Sequence, residues 1–214
     1  MADTYERERR RMVEDDLRRR GIQGPRVLDA MAQVPRHRFV PEGERRSAYE
    51  DRALPLELGQ TISQPYIVAY MTEALRVRPT DRVLEVGTGS GYQTAVLARL
   101  AAEVFTIERI GDLQGAAREI LDELAVRNVR YRVGDGTLGW PEHAPYDRIL
   151  VTAGAPAVPP ALNQQLSPEG GVMVIPVGEP DLQELFAITR EGDDWRAETL
   201  LGCRFVPLVG DEGW

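Results

Sequence analysis

One glycine cluster and the acidic residues around it are the parts of this sequence best placed to do chemistry together. Glu85-Val86-Gly87-Thr88-Gly89-Ser90-Gly91 continues a buried-strand pattern, Val83 to Val86, and leads into a helical one from Tyr92. Glycines in such a turn let the backbone approach a ligand lying across the strand ends. Glu108 closes the next strand pattern, 21 positions after Gly87. A carboxylate there can accept hydrogen bonds from both hydroxyls of a ribose. Asp135, in Gly134-Asp135-Gly136 after the third strand pattern, stands where it could accept from an adenine amino group. The same Asp-Gly pair is also an ordinary turn signal. Taken together, the three sites point to a nucleoside-containing cofactor.

Two cofactor chemistries compete for this geometry. Dinucleotides favour Gly-x-Gly-x-x-Gly, with a pyrophosphate on the helix N-terminus. Here the spacing is Gly-x-Gly-x-Gly, and Glu85 stands two residues ahead. A carboxylate beside the turn is awkward for pyrophosphate but suits the ammonium of an amino-acid tail. S-adenosylmethionine has that tail, a sulfonium and no phosphate, so a methyltransferase is the expected class. No metal is expected: with Cys203, His37 and His143 as the only cysteine and histidines, a structural zinc site is improbable.

The elements that position these residues alternate in type. Strand patterns at Val83–Val86, Val104–Glu108 and Val129–Val133 are separated by helical ones, Tyr92 to Ala101 and Leu113 to Leu124. Ile149–Val151 follows the turn-like Ala144-Pro145-Tyr146-Asp147, and a short Pro160–Leu166 helix leads to Val172–Pro176. This predicts an α/β fold, a doubly wound, mostly parallel sheet covered on both faces. Two last strands near Leu185–Thr189 and Glu198–Leu201 are close enough for a hairpin, which predicts an antiparallel strand near the C-terminus. Ahead of the sheet, residues 1 to about 20 and a stretch from Gly24-Pro25 to Pro35 read as helices, and Tyr66 to Val77 as another. Residues 36–65 show no period, and a stretch that long inside a compact domain is usually functional. A single domain is expected over 1–214, with 1–78 as helical cap and substrate loop and 79–214 as cofactor-binding core.

Over almost its whole length the chain resembles the short bacterial protein-L-isoaspartate O-methyltransferases. The resemblance rests on Ala48-Tyr49-Glu50-Asp51 with Leu54-Pro55, on Gly59-Gln60-Thr61-Ile62-Ser63-Gln64-Pro65, and on Val83 to Gly91. It continues through Gly134-Asp135-Gly136, Pro145-Tyr146-Asp147-Arg148-Ile149, Gly154-Ala155-Pro156, Gly170-Gly171, Ile175-Pro176-Val177-Gly178 and Arg204-Phe205-Val206-Pro207-Leu208. The glycine turn is common to many methyltransferases, whereas the Gln60–Pro65 segment is far more specific. Tyr66 departs from relatives that carry histidine there.

The resemblance implies a Rossmann-like sheet whose last strands are reordered, and methyl transfer to the free α-carboxylate of L-isoaspartyl residues in damaged proteins and peptides. The ester then closes to a succinimide, whose hydrolysis returns some normal aspartate. It implies Ser63 as the residue near the acceptor carboxylate, although a serine ahead of the Tyr66 helix also suits a turn or N-cap. The expected cofactor set is Glu85, Gly87, Thr88, Gly89, Ser90, Gly91, Glu108, Arg109, Asp135 and Gly136. Thr61, Ile62 and Gln64 are expected beside the substrate.

A same-fold carboxyl methyltransferase dedicated to one peptide or protein client is the nearest alternative. An interaction module without catalysis and an RNA methyltransferase are more distant ones. With 26 basic residues, all arginine, against 34 acidic ones, the net charge is −8, a poor match to a polyanion. No apolar run reaches the ~18 residues of a membrane span, and the Arg-rich start has no signal-peptide core. A cytoplasmic monomer that binds neither nucleic acid nor membrane is therefore expected.

Overall fold

The computed structural model describes residues 2–214; Met1, the first residue of the predicted N-terminal helix, lies outside them. Helix α1 (Ala2–Arg11) runs on through wider turns over Met12–Leu17 and a 3₁₀ turn at Arg18–Arg20, then stops at Gly21 with φ +102°. Met12, Val13 and Leu17 are buried, and the Arg18–Glu14 and Arg19–Asp15 ion pairs decorate the solvated side. Helices α2 (Pro25–Gln33) and α3 (Pro65–Leu75) both open on proline, whose missing N–H is no loss in a first turn. The aperiodic stretch between them holds short 3₁₀ turns and a two-residue-per-strand hairpin, β1 (Leu54–Pro55) with β2 (Thr61–Ile62).

The alternating region then follows as β3 (Arg82–Val86), α4 (Tyr92–Ala98), β4 (Glu103–Glu108), α5 (Gly111–Glu123), β5 (Val129–Val133), β6 (Arg148–Val151), α6 (Pro160–Gln165), β7 (Glu169–Glu179), β8 (Leu182–Glu191) and β9 (Asp194–Cys203). They form one sheet in the order β5-β4-β3-β6-β7-β8-β9. The first five strands pair in parallel, and β8 and β9 add on antiparallel. The C-terminal hairpin is longer than its sequence pattern, ten residues per strand. Most of β9 is solvent-exposed, so no apolar alternation marks its ends.

Strand parity sorts the core. Leu84, Val86, Phe105 and Ile107 face Leu162 and Leu166 on one side. Val83 and Val104 face Met71, Leu75 and Leu97 on the other. A third cluster, including Leu28, Met31 and Phe39, packs the N-terminal cap against Tyr92, Ala95 and Leu121. The β5–β6 connection has only short 3₁₀ turns, so aromatic rings partly replace the expected helical cover. The Phe105 ring meets Trp140 edge-on at 5.9 Å and Tyr146 at 5.4 Å, beneath the Arg82 guanidinium.

At the foot of the sheet a buried ion pair ties β3 to β6. Arg148 Nε lies 3.0 Å from Asp81 Oδ2, with both side chains at most 6% exposed. The guanidinium also donates to the carbonyls of Arg76, Asp147 and Gly170. Asp81→Ala would leave that cation buried without its counter-charge, which costs about 3–5 kcal/mol. Urea unfolding should show this loss as a lower midpoint with an unchanged slope; a midpoint equal to the parent's would mean that the carbonyls alone satisfy Arg148.

Candidate active site

The chain leaves β3 toward β4 on one side and pairs it with β6 on the other, and ligands in open α/β sheets bind at that switch point. A cavity of about 210 Å³ opens there. Its walls are the turn after β3, the ends of β4 and β6, the 59–63 loop and residues 205–209. Gly87, Gly89 and Gly91 all have positive φ, at 97°, 52° and 85°. A Cβ on Gly87 would stand 2.3 Å from Thr152 Oγ1, and one on Gly136 2.5 Å from Val86 Cγ1. The Thr152 hydroxyl donates to the Gly87 carbonyl at 2.8 Å. Turn and strand end are thus pressed together, and backbone forms the cavity wall.

Glu108 stands in that wall, 9% exposed. Its Oε2 accepts from Gly89 N and its Oε1 from Ile110 N, both at 3.0 Å, and each oxygen retains capacity for a further bond. Thr88, Ser90 and Arg109 complete this side. Thr88 Oγ1 is 2.7 Å from Thr106 Oγ1, and Ser90 Oγ accepts from Tyr92 N at 3.3 Å, steadying the start of α4.

Four expected site residues do not reach the cavity wall: Gly91, which is turned to Ala117 of α5, and Glu85, Asp135 and Gln64. Glu85 has the opposite strand parity to Val86, so its side chain enters the layer beneath α4. There Thr94 and Thr106 donate to its Oε2 at 2.6 Å each, and Oε1 has no partner. Burial pushes its carboxyl up to about 8, against the two hydroxyls that lower it and with Glu108 adding repulsion. Asp135 is turned to the C-terminal segment, accepting from Thr137 N and Oγ1 and from Asp211 N. Burial raises its carboxyl, but these bonds outweigh it and hold the group below its usual range. Gln64 spends its amide on Asp51, at 3.0 Å to the carbonyl and 2.7 Å to Oδ2. The neighbouring Gly136 does line the cavity.

Thr61, Ile62 and Ser63 form the opposite wall. Ser63 is not the cap of α3: Gln64 occupies that position, and the Tyr66 N–H is accepted by Asp51 Oδ1 at 2.9 Å. The Ser63 hydroxyl makes no hydrogen bond to the described residues. Sequence reasoning missed Thr152 and Ala153, although both lie just past β6 at the switch point, where that rule directs attention. It also missed Phe205 to Val209 as cavity lining, because their irregular backbone has no period to read.

The dinucleotide fold stays parallel to the edge of its sheet, whereas this one, after parallel β6 and β7, ends in the antiparallel β8 and β9. A nucleoside cradle on a sheet of that kind defines the Rossmann-like methyltransferases. Within that class the chain belongs to the protein-L-isoaspartate(D-aspartate) O-methyltransferase (PCMT) family, whose model matches residues 7–213. It is 59% identical over 205 residues to the protein-L-isoaspartate O-methyltransferase 2 of Pelobacter propionicus, across 95% of this chain and 91% of that one. The corresponding protein of Dictyoglomus thermophilum is 53% identical over 210 residues, across 98% and 94%. A solved protein-L-isoaspartate O-methyltransferase superposes with a TM-score of 0.86 at 29% identity, across 96% of this chain and 67% of that one. A Plasmodium falciparum structure of the same description, in complex with S-adenosyl-L-homocysteine, gives 0.81 at 27% identity, across 94% and 98%.

The buried Glu85 makes stability depend on pH. Its folded-state value near 8 lies above the ordinary 4.5, so the folded state holds a proton that the unfolded state releases first. Its contribution is present in full below about pH 4.5 and is lost as pH rises to about 8. Glu85→Gln, a neutral isostere, should therefore gain melting temperature over the parent progressively between pH 5 and pH 8. Parallel melting curves for the two proteins across that range would show that Glu85 is not held protonated.

Proposed function

We infer that this protein transfers a methyl group from S-adenosylmethionine to the free α-carboxylate of L-isoaspartyl residues in damaged proteins and peptides, starting their repair through a succinimide. The observation that carries this reading is a cavity shared by the glycine turn with Glu108 on one wall and, on the other, Ser63, whose hydroxyl has no partner among the described residues. The residues present fit the cofactor: Gly89 lines the cavity with open space where a Cβ would stand, and Glu108 brings a carboxylate into the wall. When bound, S-adenosylmethionine supplies an electrophilic methyl group. Gly87 to Gly91, with Thr88 and Ser90, would hold its amino-acid end, Glu108 and Arg109 its ribose, and the Gly136 backbone its adenine side.

The chain's remaining task is orientation. An α-carboxylate is ionised near neutral pH, so no side chain has to remove a proton before it attacks. Ser63 donates a hydrogen bond to one carboxylate oxygen and leaves the other aimed at the methyl carbon, which lowers the entropic part of the barrier. Thr61 and Ile62 confine the peptide around it. This economy fits a chain with only two histidines, His37 in the cap and His143 under the sheet.

No helix among the described residues is long and apolar enough to cross a membrane. We propose a cytoplasmic monomer whose partners are isoaspartyl proteins rather than nucleic acid, a choice the −8 charge supports. Labelled S-adenosylmethionine offered with paired isoaspartyl and aspartyl peptides of one sequence tests the function. Labelling of the isoaspartyl member in many unrelated pairs is expected. Labelling of one sequence alone would identify a dedicated client enzyme, and equal labelling within pairs would overturn the reading.

Two substitutions separate the halves of the site. Ser63→Ala should lower single-turnover methylation roughly 10- to 150-fold, the equivalent of about 1.5–3 kcal/mol, with cofactor affinity and pH dependence as in the parent. A parent-like rate would leave Ser63 as a loop residue only. Glu108→Ala should weaken cofactor binding by about 1.5–3 kcal/mol in calorimetry. Unchanged affinity in a folded variant would remove Glu108 from the cofactor site.

A further inference from the structure

Asp51 sits at the base of the loop that carries Ser63, and its carboxylate is engaged from three directions. Oδ1 accepts from Tyr66 N at 2.9 Å, in the first turn of α3. Oδ2 accepts from Gln64 Nε2 at 2.7 Å and pairs with Arg20 Nη1. The same Gln64 amide reaches the Asp51 carbonyl at 3.0 Å. Residues 52–63 are thus a loop with both ends tied to one side chain, and Ser63 is the last residue before the tie. Helix α3 has no side-chain cap of its own. Asp51 supplies one from outside the helix, where a negative charge also suits the helix dipole.

Arg20 brings the N-terminal helix into this arrangement. Its guanidinium carbon lies 3.7 Å over the Tyr66 ring centroid while a nitrogen holds Asp51, a stacked geometry that lysine would not reproduce. Other charges face the carboxylate. Asp16, on the same helical run, has its carboxyl raised by burial first and then by Asp51. Arg36, wholly buried behind the loop, is committed through Nε to the Ala48 carbonyl at 2.8 Å. Arg20 is therefore the cation in direct contact with Asp51, and it offsets the repulsion from Asp16.

We propose that Asp51, held by Arg20, is a positioning residue for the acceptor: it clamps both ends of the 52–63 loop and so keeps the Ser63 hydroxyl facing the cavity. This rests on the reading of Ser63 as the donor to the acceptor carboxylate. Asp51→Asn is the incisive variant. It matches the parent in size, but either orientation of its amide sets an NH₂ group against one of the donors that Asp51 accepts. Arg20 is partly exposed, so Arg20→Ala removes the support without opening the core.

The test compares Arg20→Ala, Asp51→Asn and the double variant on an isoaspartyl peptide at saturating cofactor. Turnover should fall about 10-fold in Asp51→Asn and about 3-fold in Arg20→Ala, with S-adenosylhomocysteine affinity within about 2-fold of the parent. The double variant should be no slower than Asp51→Asn, because both act through one clamp. Arg20→Lys should recover only part of the loss. Amide exchange over Thr61–Gln64 in the S-adenosylhomocysteine complex is the second readout, and Asp51→Asn should accelerate it. Faster exchange establishes the clamp even if the parent ignores isoaspartyl peptides, so the two readings fail separately. Parent-like turnover and exchange in Asp51→Asn, or losses that multiply in the double variant, overturn the proposal.

Discussion

The turn from β3 into α4 can press against the end of β6 only because Gly87 has no side chain, and much of the site follows from that contact. With the Thr152 hydroxyl bonded to the carbonyls of Val86 and Gly87, any larger residue would displace β6 or the turn. Gly87 N and Thr88 N both reach back to the Ile107 carbonyl, at 2.8 and 3.3 Å, so the turn is tied to β4 as well. Glu108 completes the frame by accepting from Gly89 N and Ile110 N. Three strands are thereby fixed to one another at their C-terminal ends by bonds that each have a backbone group on at least one side. With the backbone supplying most of the partners, only the Thr152 and Glu108 side chains have a rotamer to hold, so the cradle can be rigid before a ligand arrives.

Beneath the cradle lies a polar layer that the parity of β3 and β4 makes unavoidable. Glu85 and Thr106 alternate with Val86 and Ile107, so these strands turn apolar side chains to the cavity and polar ones to the layer behind it. Thr94 and Thr106 bond the Glu85 carboxyl from α4 and β4, and Thr106 passes the connection to Thr88 in the cavity wall. A buried carboxyl that holds its proton is a neutral donor and acceptor, far cheaper to desolvate than an anion. The acidic residue of the turn thus acts as internal bracing for α4 rather than as a partner for a positive ligand.

Those two observations explain which parts were legible in the sequence. The parallel strands could be read because each is a buried apolar run bounded by turn residues, and the glycine turn because its chemistry depends on residue type and spacing. Glu108 was legible for the same reason, since the end of a strand is where parity stops constraining direction. Glu85 was misread one residue inside its strand, where parity decides. The bonds of Asp135 and Gln64 outside the cavity wall were not legible because their partners, Asp211 and Asp51, lie 76 and 13 positions away, and only tertiary packing brings them together. The length of β9 was hidden by its exposure. The role of Asp51 was hidden because a helix cap normally comes from the adjacent residue, and here it comes across a loop.

The two walls of the cavity are consequently held in different ways. On the cofactor side the anchors are backbone groups within a seven-stranded sheet. On the acceptor side they are side-chain bonds at the base of a hairpin with two residues in each strand, too short to be stable unaided. At its tip, Leu58 is left 59% exposed with φ +57°, followed by Gly59 at φ +70°, a backbone state that costs a non-glycine residue free energy. Local opening follows the least-supported contacts, so the acceptor wall can move while the cradle stays intact. A small-molecule acceptor would not require that asymmetry. An acceptor that is a kinked segment of another polypeptide does, because chain must enter and leave on both sides of the reacting carboxylate.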